Sequence, residues 1–179
     1  MSALGEAIAE NEAAEAPFDL EAVFCAEYER IARIIARVVR DRARAEELAV
    51  EVFLKLSRNQ QAQGENTGGW LHRVAVRVAL DELRRQERRS RYERLAGWFS
   101  HKNPTPEDIR AAVEERDRVR NVLSRISRRH AELLVLRGQE LTYSEIASAL
   151  GLNPASIGTL LSRAQQAFRK EYVERYGEH

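Results

Sequence analysis

The sequence predicts an all-α protein of two small helical domains joined by a flexible linker, with a helix-turn-helix as the C-terminal domain. Only 9 of its 179 residues are Gly and 4 are Pro, whereas Ala, Leu, Arg and Glu are abundant. These four side chains lose little rotamer freedom in a helix, so the composition favours helix over sheet. Apolar residues also recur at helical spacing in several segments, and a stretch with Gly and Pro near the middle interrupts this period.

The interruption sets the predicted domain boundaries. Residues 1–17 are acidic and Ala-rich without an apolar stripe, so we expect a flexible tail there. The first domain is expected at 18–94 and the second at 109–176, with a linker at 95–108 that contains Gly97, Pro104 and Pro106. No apolar run approaches the roughly 20 residues that span a bilayer, and no signal sequence opens the chain. We therefore expect a cytoplasmic protein without membrane insertion.

Three helices are predicted in the first domain. The first begins after the N-cap Asp19 and continues to Arg40, and its Cys25 is expected to be a buried small side chain. The second follows a polar turn at Asp41 and repeats the apolar period as far as Leu56. Residues 59–69 are too rich in Gln and Gly to extend a helix, so we expect a loop before the third helix, at about residues 70–89.

The third predicted helix lies in a block of positive charge. Between residues 70 and 102, nine basic residues outnumber four acidic ones. Arg73, Arg77 and Arg84 share one side of the helix, because offsets of four and eleven residues return to nearly the same angle at 3.6 residues per turn. This stripe predicts a surface that binds a polyanion.

Caps and turns organise the second domain. A short apolar helix is expected at residues 128–137, where Gly138 ends it. Thr142 and Glu145 have the spacing of a capping box, in which the two side chains satisfy free backbone N–H groups reciprocally. The dipeptide Asn153-Pro154 then supplies the N-cap and first residue of another helix.

These last two helices have the pattern of a helix-turn-helix. The motif needs a small residue, a Gly-like turn and an apolar residue at fixed spacing, and Ala147, Gly151 and Ile157 satisfy it. A plain helical hairpin would use the same caps and spacing without touching DNA. If the motif reads a major groove, the polar residues on the open face of the second helix are the candidates for DNA contact. They are Ser156, Thr159, Ser162, Arg163 and Gln166.

Three segments together resemble the conserved parts of extracytoplasmic-function sigma factors: residues 41–53, 70–85 and 141–169. The resemblance covers nearly everything from residue 18 to residue 172. It implies an N-terminal domain that binds core RNA polymerase and opens the promoter −10 element, and a C-terminal helix-turn-helix that reads the −35 element. It also implies a protein that is not an enzyme and that needs no cofactor or metal.

The resemblance assigns two further sets of residues. The second helix matches the family's main polymerase-binding helix, and the third helix with its preceding loop matches the reader of the −10 element. The polymerase-binding positions are Asp41, Glu46, Glu47, Leu48, Glu51 and Phe53, and the −10 positions are Asn66, Trp70, His72, Arg73, Arg77 and Arg84.

Plainer roles compete with several of these assignments. Phe53 and Trp70 also fit a packing role, His72 fits a solvated side chain, and the acidic residues fit a solvated face. The chain departs from the family pattern at Val50, where Gln is usual, at Glu47, where Asp is usual, and at Arg77, where Asn is usual. These departures bear on the strength of polymerase binding and on the −10 sequence preference.

The implied partners are core RNA polymerase, through its largest and β subunits, promoter DNA and an anti-sigma factor. A stand-alone helix-turn-helix repressor with an N-terminal dimerisation domain is the alternative, since it explains residues 142–169 equally well. It leaves the Arg stripe of the third helix without a role. An enzyme is disfavoured because the four His residues are scattered and none forms a Glu-x-x-His pair.

Overall fold

A computed structural model describes residues 18–95 and 107–177 of the chain. The predicted tail at 1–17 and nearly all of the predicted linker at 95–108 lie outside these described residues. Within the two ranges the chain is helical, as predicted, with two short 3₁₀ turns at Gln60–Ala62 and Pro154–Ser156. The α-helices are α1 (Leu20–Val38), α2 (Arg42–Ser57), α3 (Thr67–Leu95), α4 (Glu107–Arg125), α5 (Arg128–Arg137), α6 (Tyr143–Leu150) and α7 (Ile157–Tyr176).

Aspartate caps begin α1 and α2. The Asp19 carboxylate accepts a hydrogen bond from the backbone N–H of Ala22 at 2.9 Å, and that of Asp41 accepts one from Arg44 at 3.1 Å. Each bond satisfies a backbone donor that has no partner within the helix. The apolar faces of α1, α2 and α3 then pack together.

The prediction that Cys25 is buried was wrong, because its side chain is exposed on α1. The buried residues of this helix are Ile31, Ile34, Ile35 and Val38. Near its start, Val23 and Phe24 pack against the core. Cys25 follows Phe24 directly, and a step of one residue turns the side chain by about 100° around a helix of 3.6 residues per turn. That rotation takes the thiol out of the apolar stripe.

The third helix begins earlier than predicted, at Thr67, so three residues assigned to the loop lie in its first turn. The Thr67 hydroxyl is buried; it donates to the carbonyl of Ala62 at 2.8 Å and accepts from the N–H of Gly64 at 2.9 Å. These bonds fix the chain at the point where the helix starts, which offsets the cost of Gly68 and Gly69 in a first turn. At its other end α3 continues past the predicted residue 89 to Leu95.

The C-terminal helices confirm the predicted caps. Helix α5 covers Arg128–Arg137 with Gly138 as its C-cap, and the capping box at Thr142 and Glu145 is present in both directions. Gly151 adopts a left-handed conformation with φ 65°, which a residue without a Cβ adopts at no steric cost. Ala147 and Ile157 are both buried where α6 meets α7, so the helix-turn-helix geometry is formed.

The two groups of helices are packed against each other. Helix α3 contacts α4, α5 and α6, and buried apolar residues of both groups form one continuous cluster. In the described ranges, no helix is both long enough and apolar enough to cross a bilayer. The arrangement places the Arg stripe of α3 at the boundary between the two groups.

Candidate protein and nucleic-acid interfaces

The outer face of α2 combines apolar and acidic side chains that face solvent. Val50 is 43% exposed and Leu54 is 49% exposed, and the spacing of four residues places the two side chains next to each other on one face of α2. Glu46, Glu47 and Glu51 lie on the same exposed part of the helix. An apolar centre with a charged rim is the common arrangement of a protein–protein interface.

Two predicted members of this face lie in the core instead. Leu48 and Phe53 are each only 3% exposed, so they cannot touch a docking partner in this structure. The Phe53 ring packs edge-on against Phe24 at 4.8 Å and lies 6.4 Å from the ring of Tyr28. The exposed apolar residues of this face are Val50 and Leu54, whereas the resemblance predicted Leu48 and Phe53.

Two glutamates of the acidic rim of α2 form ion pairs with an arginine of the same helix. Arg44 lies 2.8 Å from the carboxylate of Glu47 and 3.8 Å from that of Glu51, and it also reaches Glu82 of α3 at 3.2 Å. These carboxylates raise the pKa of Arg44, and the hydrogen bond that Arg44 donates to Glu47 is the largest cause. The rim is therefore acidic in composition, but its ion pairs with Arg44 neutralise part of its negative charge.

Trp70, Arg73, Arg77 and Arg84 of the predicted −10 residues share one side of α3, where the C-terminal helices cover several of them. Arg77 donates to the carboxylate of Glu132 in α5 at 3.0 Å. Arg84 donates to the backbone carbonyls of Ser124 at 3.2 Å and Ile126 at 3.4 Å. Three consecutive segments of the C-terminal group thus supply acceptors to this stripe.

The start of α3 is covered in the same way. The Ser148 hydroxyl of α6 donates to the side-chain oxygen of Asn66 at 2.7 Å. Trp70 is half-buried and packs against the apolar cluster, which supports the packing role that competed with DNA contact. Arg73 is half-buried, and its buried Nε atom has no hydrogen-bond partner.

His72 is buried rather than solvated. Its side chain is 5% exposed, and the buried Nε2 atom has no hydrogen-bond partner. Burial, reinforced by the positive charge of Arg30 and opposed by the negative charge of Glu145, lowers the pKa of His72 from 6.5 to about 4. The imidazole is consequently neutral near pH 7, because an imidazolium here would lose its hydration.

The loop before α3 uses part of its polarity for its own structure. The Gln63 amide donates to the carbonyl of Leu56 at 3.0 Å, and the Thr67 hydroxyl closes the loop from its other end. Gln60 and Gln61 are exposed. The loop therefore exposes the side-chain amides of Gln60 and Gln61, while internal hydrogen bonds fix its conformation.

The open face of α7 is available to solvent. Thr159, Ser162, Arg163 and Gln166 are exposed. Ser156 is half-buried, and its hydroxyl donates to the carbonyl of Asn153 at 2.7 Å, so this side chain supports the turn that leads into α7. Four of the five predicted −35 residues thus lie on one accessible face, at the N-terminal half of the second helix of a helix-turn-helix.

Comparisons with known proteins match both groups of helices. The family pattern Sigma-70 region 2 matches residues 24–89, and the pattern Sigma-70, region 4 matches residues 116–167. The ECF RNA polymerase sigma factor SigK of Mycolicibacterium vanbaalenii is 31% identical over 147 residues, which cover 79% of this chain and 75% of that protein. The chain belongs to the ECF sigma factors. This family comprises promoter-recognising subunits of RNA polymerase and is not a family of enzymes.

One further relative and one solved structure also match the chain. The Probable RNA polymerase sigma factor RfaY of Xanthomonas campestris pv. campestris is 28% identical over 153 residues, and the chain spans 38% of that protein's length. A solved structure of the sigma factor RpoE in complex with the anti-sigma factor NepR, from Bartonella quintana, is 17% identical, with a TM-score of 0.49 over 86% of this chain. The stand-alone repressor alternative has no support among the matched families and relatives.

Proposed function

We propose that this sigma factor binds core RNA polymerase through the outer face of α2 and directs it to promoters. The exposed pair Val50 and Leu54 carries the proposal. Two large apolar side chains on one helix face are not covered by any other described helix, and carboxylates surround them. Burying such a pair against a partner helix gains hydrophobic free energy, while the rim steers the approach of a basic surface.

Promoter recognition divides between the two domains in this proposal. Region 2 opens the −10 element, with a base extruded into the loop before α3 and the backbone held by Arg73, Arg77 and Arg84. Extruding a base costs a few kcal/mol, which stacking and edge hydrogen bonds in a pocket offset. Region 4 reads the −35 element through α7, where Arg163 and Gln166 are long enough for bidentate contacts to bases. The protein acts by binding and performs no catalytic step of its own.

Its proposed place of action is the cytoplasm, where core polymerase and promoter DNA are found. An anti-sigma factor is the proposed regulator, and it would act by covering the face of α2 or the DNA-reading surfaces. The sigma factor of the Bartonella structure is bound to a protein of this kind.

Run-off transcription tests the function as a whole. Purified core polymerase is given a library of genomic fragments with and without the protein, and the transcript starts are sequenced. Discrete new starts with shared paired motifs near −35 and −10 are the expected result. Absence of new starts, together with tight duplex binding by the protein alone, would instead favour the repressor.

A matched pair of substitutions tests the docking face. Val50 and Val113 are both exposed helical valines, at 43% and 36%, so Val50→Asp and Val113→Asp make the same chemical change at two places. We expect Val50→Asp to weaken binding to core polymerase by about tenfold or more, as truncation of an interface anchor does. Val113→Asp should bind as the wild type does. Equal affinities for the two variants, measured by fluorescence titration, would remove α2 from the docking surface.

A further inference from the structure

A pocket between α3 and α4 is lined mainly by arginines. It has a volume of about 180 Å³, roughly six times the volume that a water molecule occupies in the liquid, so it can hold a small anion. Four arginines against one carboxylate leave an excess of three positive charges in its lining. The lining residues are Arg84, Glu87, Arg88, Arg91, Ser124 and Arg125.

Hydrogen bonds fix two of these arginines, one on each helix. Arg84 of α3 donates to two backbone carbonyls, at 3.2 Å and 3.4 Å. On α4, the Nε atom of Arg125 donates to the side-chain oxygen of Asn121 at 3.0 Å, and the Asn121 amide donates to Glu87 at 3.1 Å. Neither Nη group of Arg125 has an acceptor within the described residues. This guanidinium group is therefore positioned before a ligand arrives, which reduces the entropic cost of binding.

The other two arginines of the pocket have no acceptor. Arg88 and Arg91 are exposed on α3, and within the described part of the chain neither makes a hydrogen bond or an ion pair. Burial, together with the positive charges of Arg175 and Arg91, lowers the pKa of Arg125, although two nearby carboxylates oppose this effect. Part of the local positive charge is thus uncompensated. An anion in the pocket would reduce this repulsion and accept the free N–H groups.

The concentration of positive charge favours a compact polyphosphate over a nucleic-acid backbone. Each phosphate of a DNA strand carries one charge, and successive phosphates are separated by about 3.4 Å of helix axis. A diphosphate or triphosphate instead carries several charges on directly bonded phosphoryl groups. Guanidinium groups bind such oxygens in bidentate geometry, so several arginines around one small pocket match this ligand well.

We propose that this pocket is a binding site for a compact polyphosphate group, which is held by Arg88 and Arg91 of α3 and by Arg125 of α4. Inorganic pyrophosphate and the diphosphate of a nucleotide share this chemistry. Arg84 also lines the pocket, but two carbonyls already bind it, so the site does not depend on this residue. The inference goes beyond the proposed function and does not rest on it.

Isothermal titration of the full chain with inorganic pyrophosphate, at constant ionic strength, tests the site. We expect one molecule of pyrophosphate to bind per chain, with orthophosphate at least about tenfold weaker. Arg91→Gln and Arg125→Gln should each weaken pyrophosphate binding by about tenfold or more, because each removes a charge-assisted contact. Absence of pyrophosphate binding by the wild type would overturn the proposal.

Arg85→Gln is the matched control. Arg85 is an exposed arginine of α3 that does not line the pocket, so this variant removes the same charge at a nearby position. It should bind pyrophosphate nearly as the wild type does. If it loses as much affinity as Arg125→Gln, the chain attracts pyrophosphate only through its general positive charge, and the pocket is refuted.

Two further measurements separate a specific loss of binding from a loss of folding. Arg125→Lys keeps the charge but lacks the planar fork, and it should also bind more weakly than the wild type. Thermal unfolding followed by circular dichroism reports the fold of each variant. Pyrophosphate should raise the melting temperature of the wild type and of Arg85→Gln, since a ligand of the folded state stabilises it, but not that of Arg125→Gln. Equal rises in all three proteins would refute the site.

Competition identifies the source of the ligand. ADP that displaces pyrophosphate with equal affinity indicates recognition of the polyphosphate alone, and an affinity about tenfold higher indicates a nucleotide ligand. If a short DNA duplex requires Arg91 and Arg125 while pyrophosphate does not bind, the pocket is a DNA backbone contact and the proposal fails. Transcription initiation without pyrophosphate binding would refute this inference and leave the sigma factor function intact, whereas the opposite pair of results would refute only the function.

Discussion

Replacing His72 with Phe should make the stability of the protein less sensitive to acid. The native pKa of His72 is lowered to about 4, whereas the imidazole of the unfolded chain titrates near 6.5. Between these two values the unfolded state binds the proton and the native state does not. The neutral His72 therefore leaves the free energy of unfolding unreduced above about pH 6.5, and this free energy decreases progressively as the pH falls toward 4.

The size of the effect follows from the gap between the two pKa values. At pH 5, protonation of this one group in the unfolded state lowers the free energy of unfolding by roughly 2 kcal/mol. Below pH 4 the full decrease is roughly 3 kcal/mol. His72 is 5% exposed, so solvent screening reduces these figures little. The charged groups that act on it are Arg30, which opposes protonation, and Glu145, which favours it.

Urea unfolding at pH 7.5, 6 and 5 measures this difference. Carboxylates also titrate in this range, but they do so in both proteins, and subtracting the His72→Phe curve from the wild-type curve leaves the contribution of His72. We expect the wild type to lose about 2 kcal/mol more than the variant between pH 7.5 and pH 5. Parallel losses in the two proteins would show that the imidazole is accessible to solvent in the native state and would refute the argument.

Three other substitutions give equally definite expectations. Phe53→Ala removes a ring packed against Phe24 at 4.8 Å and should cost about 3–5 kcal/mol in urea unfolding; a small loss of stability with a large loss of polymerase binding would restore Phe53 to the docking surface. Thr142→Ala deletes the capping box and should cost about 1 kcal/mol in thermal unfolding, whereas an unchanged melting temperature would make the cap dispensable. Arg163→Ala should weaken −35 duplex binding by about 1–3 kcal/mol in gel-shift titration, and an unaltered footprint would remove this residue from the −35 site.

Local signals predicted the elements whose ends depend on neighbouring residues in the chain. Helix α5 and the capping box at Thr142 have the predicted bounds, because a cap is formed by side chains within three or four positions of each other. The start of α3 was predicted too late because it depends on a contact outside this range. There the helix is fixed by a buried Thr67 hydroxyl bound to Ala62, five residues earlier, and a Gly-rich composition does not reveal such a bond.

Residue roles on a helix face were harder to predict than the helix itself. Periodicity identifies an apolar stripe, but it does not say which apolar residues remain exposed for a partner. On α2 the resemblance selected Leu48 and Phe53, whereas the exposed pair is Val50 and Leu54. The aromatic rings of α1 that enclose Phe53 are far from it in sequence, so only the fold reveals that the ring is already packed.

The Arg stripe of α3 shows a related limit. Its spacing predicts a surface for a polyanion, and Arg77 and Arg84 do meet oxygen acceptors. In the structure those acceptors belong to the same chain, 55 and 40 residues away. A stripe of guanidinium groups specifies the chemistry of its ligand but not the molecule that supplies it.

The charges on α2 lead to a conclusion about which side chains dominate docking. Sequence counting treats Glu46, Glu47 and Glu51 as free anions, yet Arg42 lies 3.0 Å from Glu46 and Arg44 holds the other two. A basic partner must therefore exchange existing ion pairs for new ones, and the net electrostatic gain is the difference between two similar interactions. Val50 and Leu54 have no comparable contacts to give up, because they face water before docking. Substitution of this apolar pair should consequently weaken polymerase binding more than reversal of any single carboxylate in the rim.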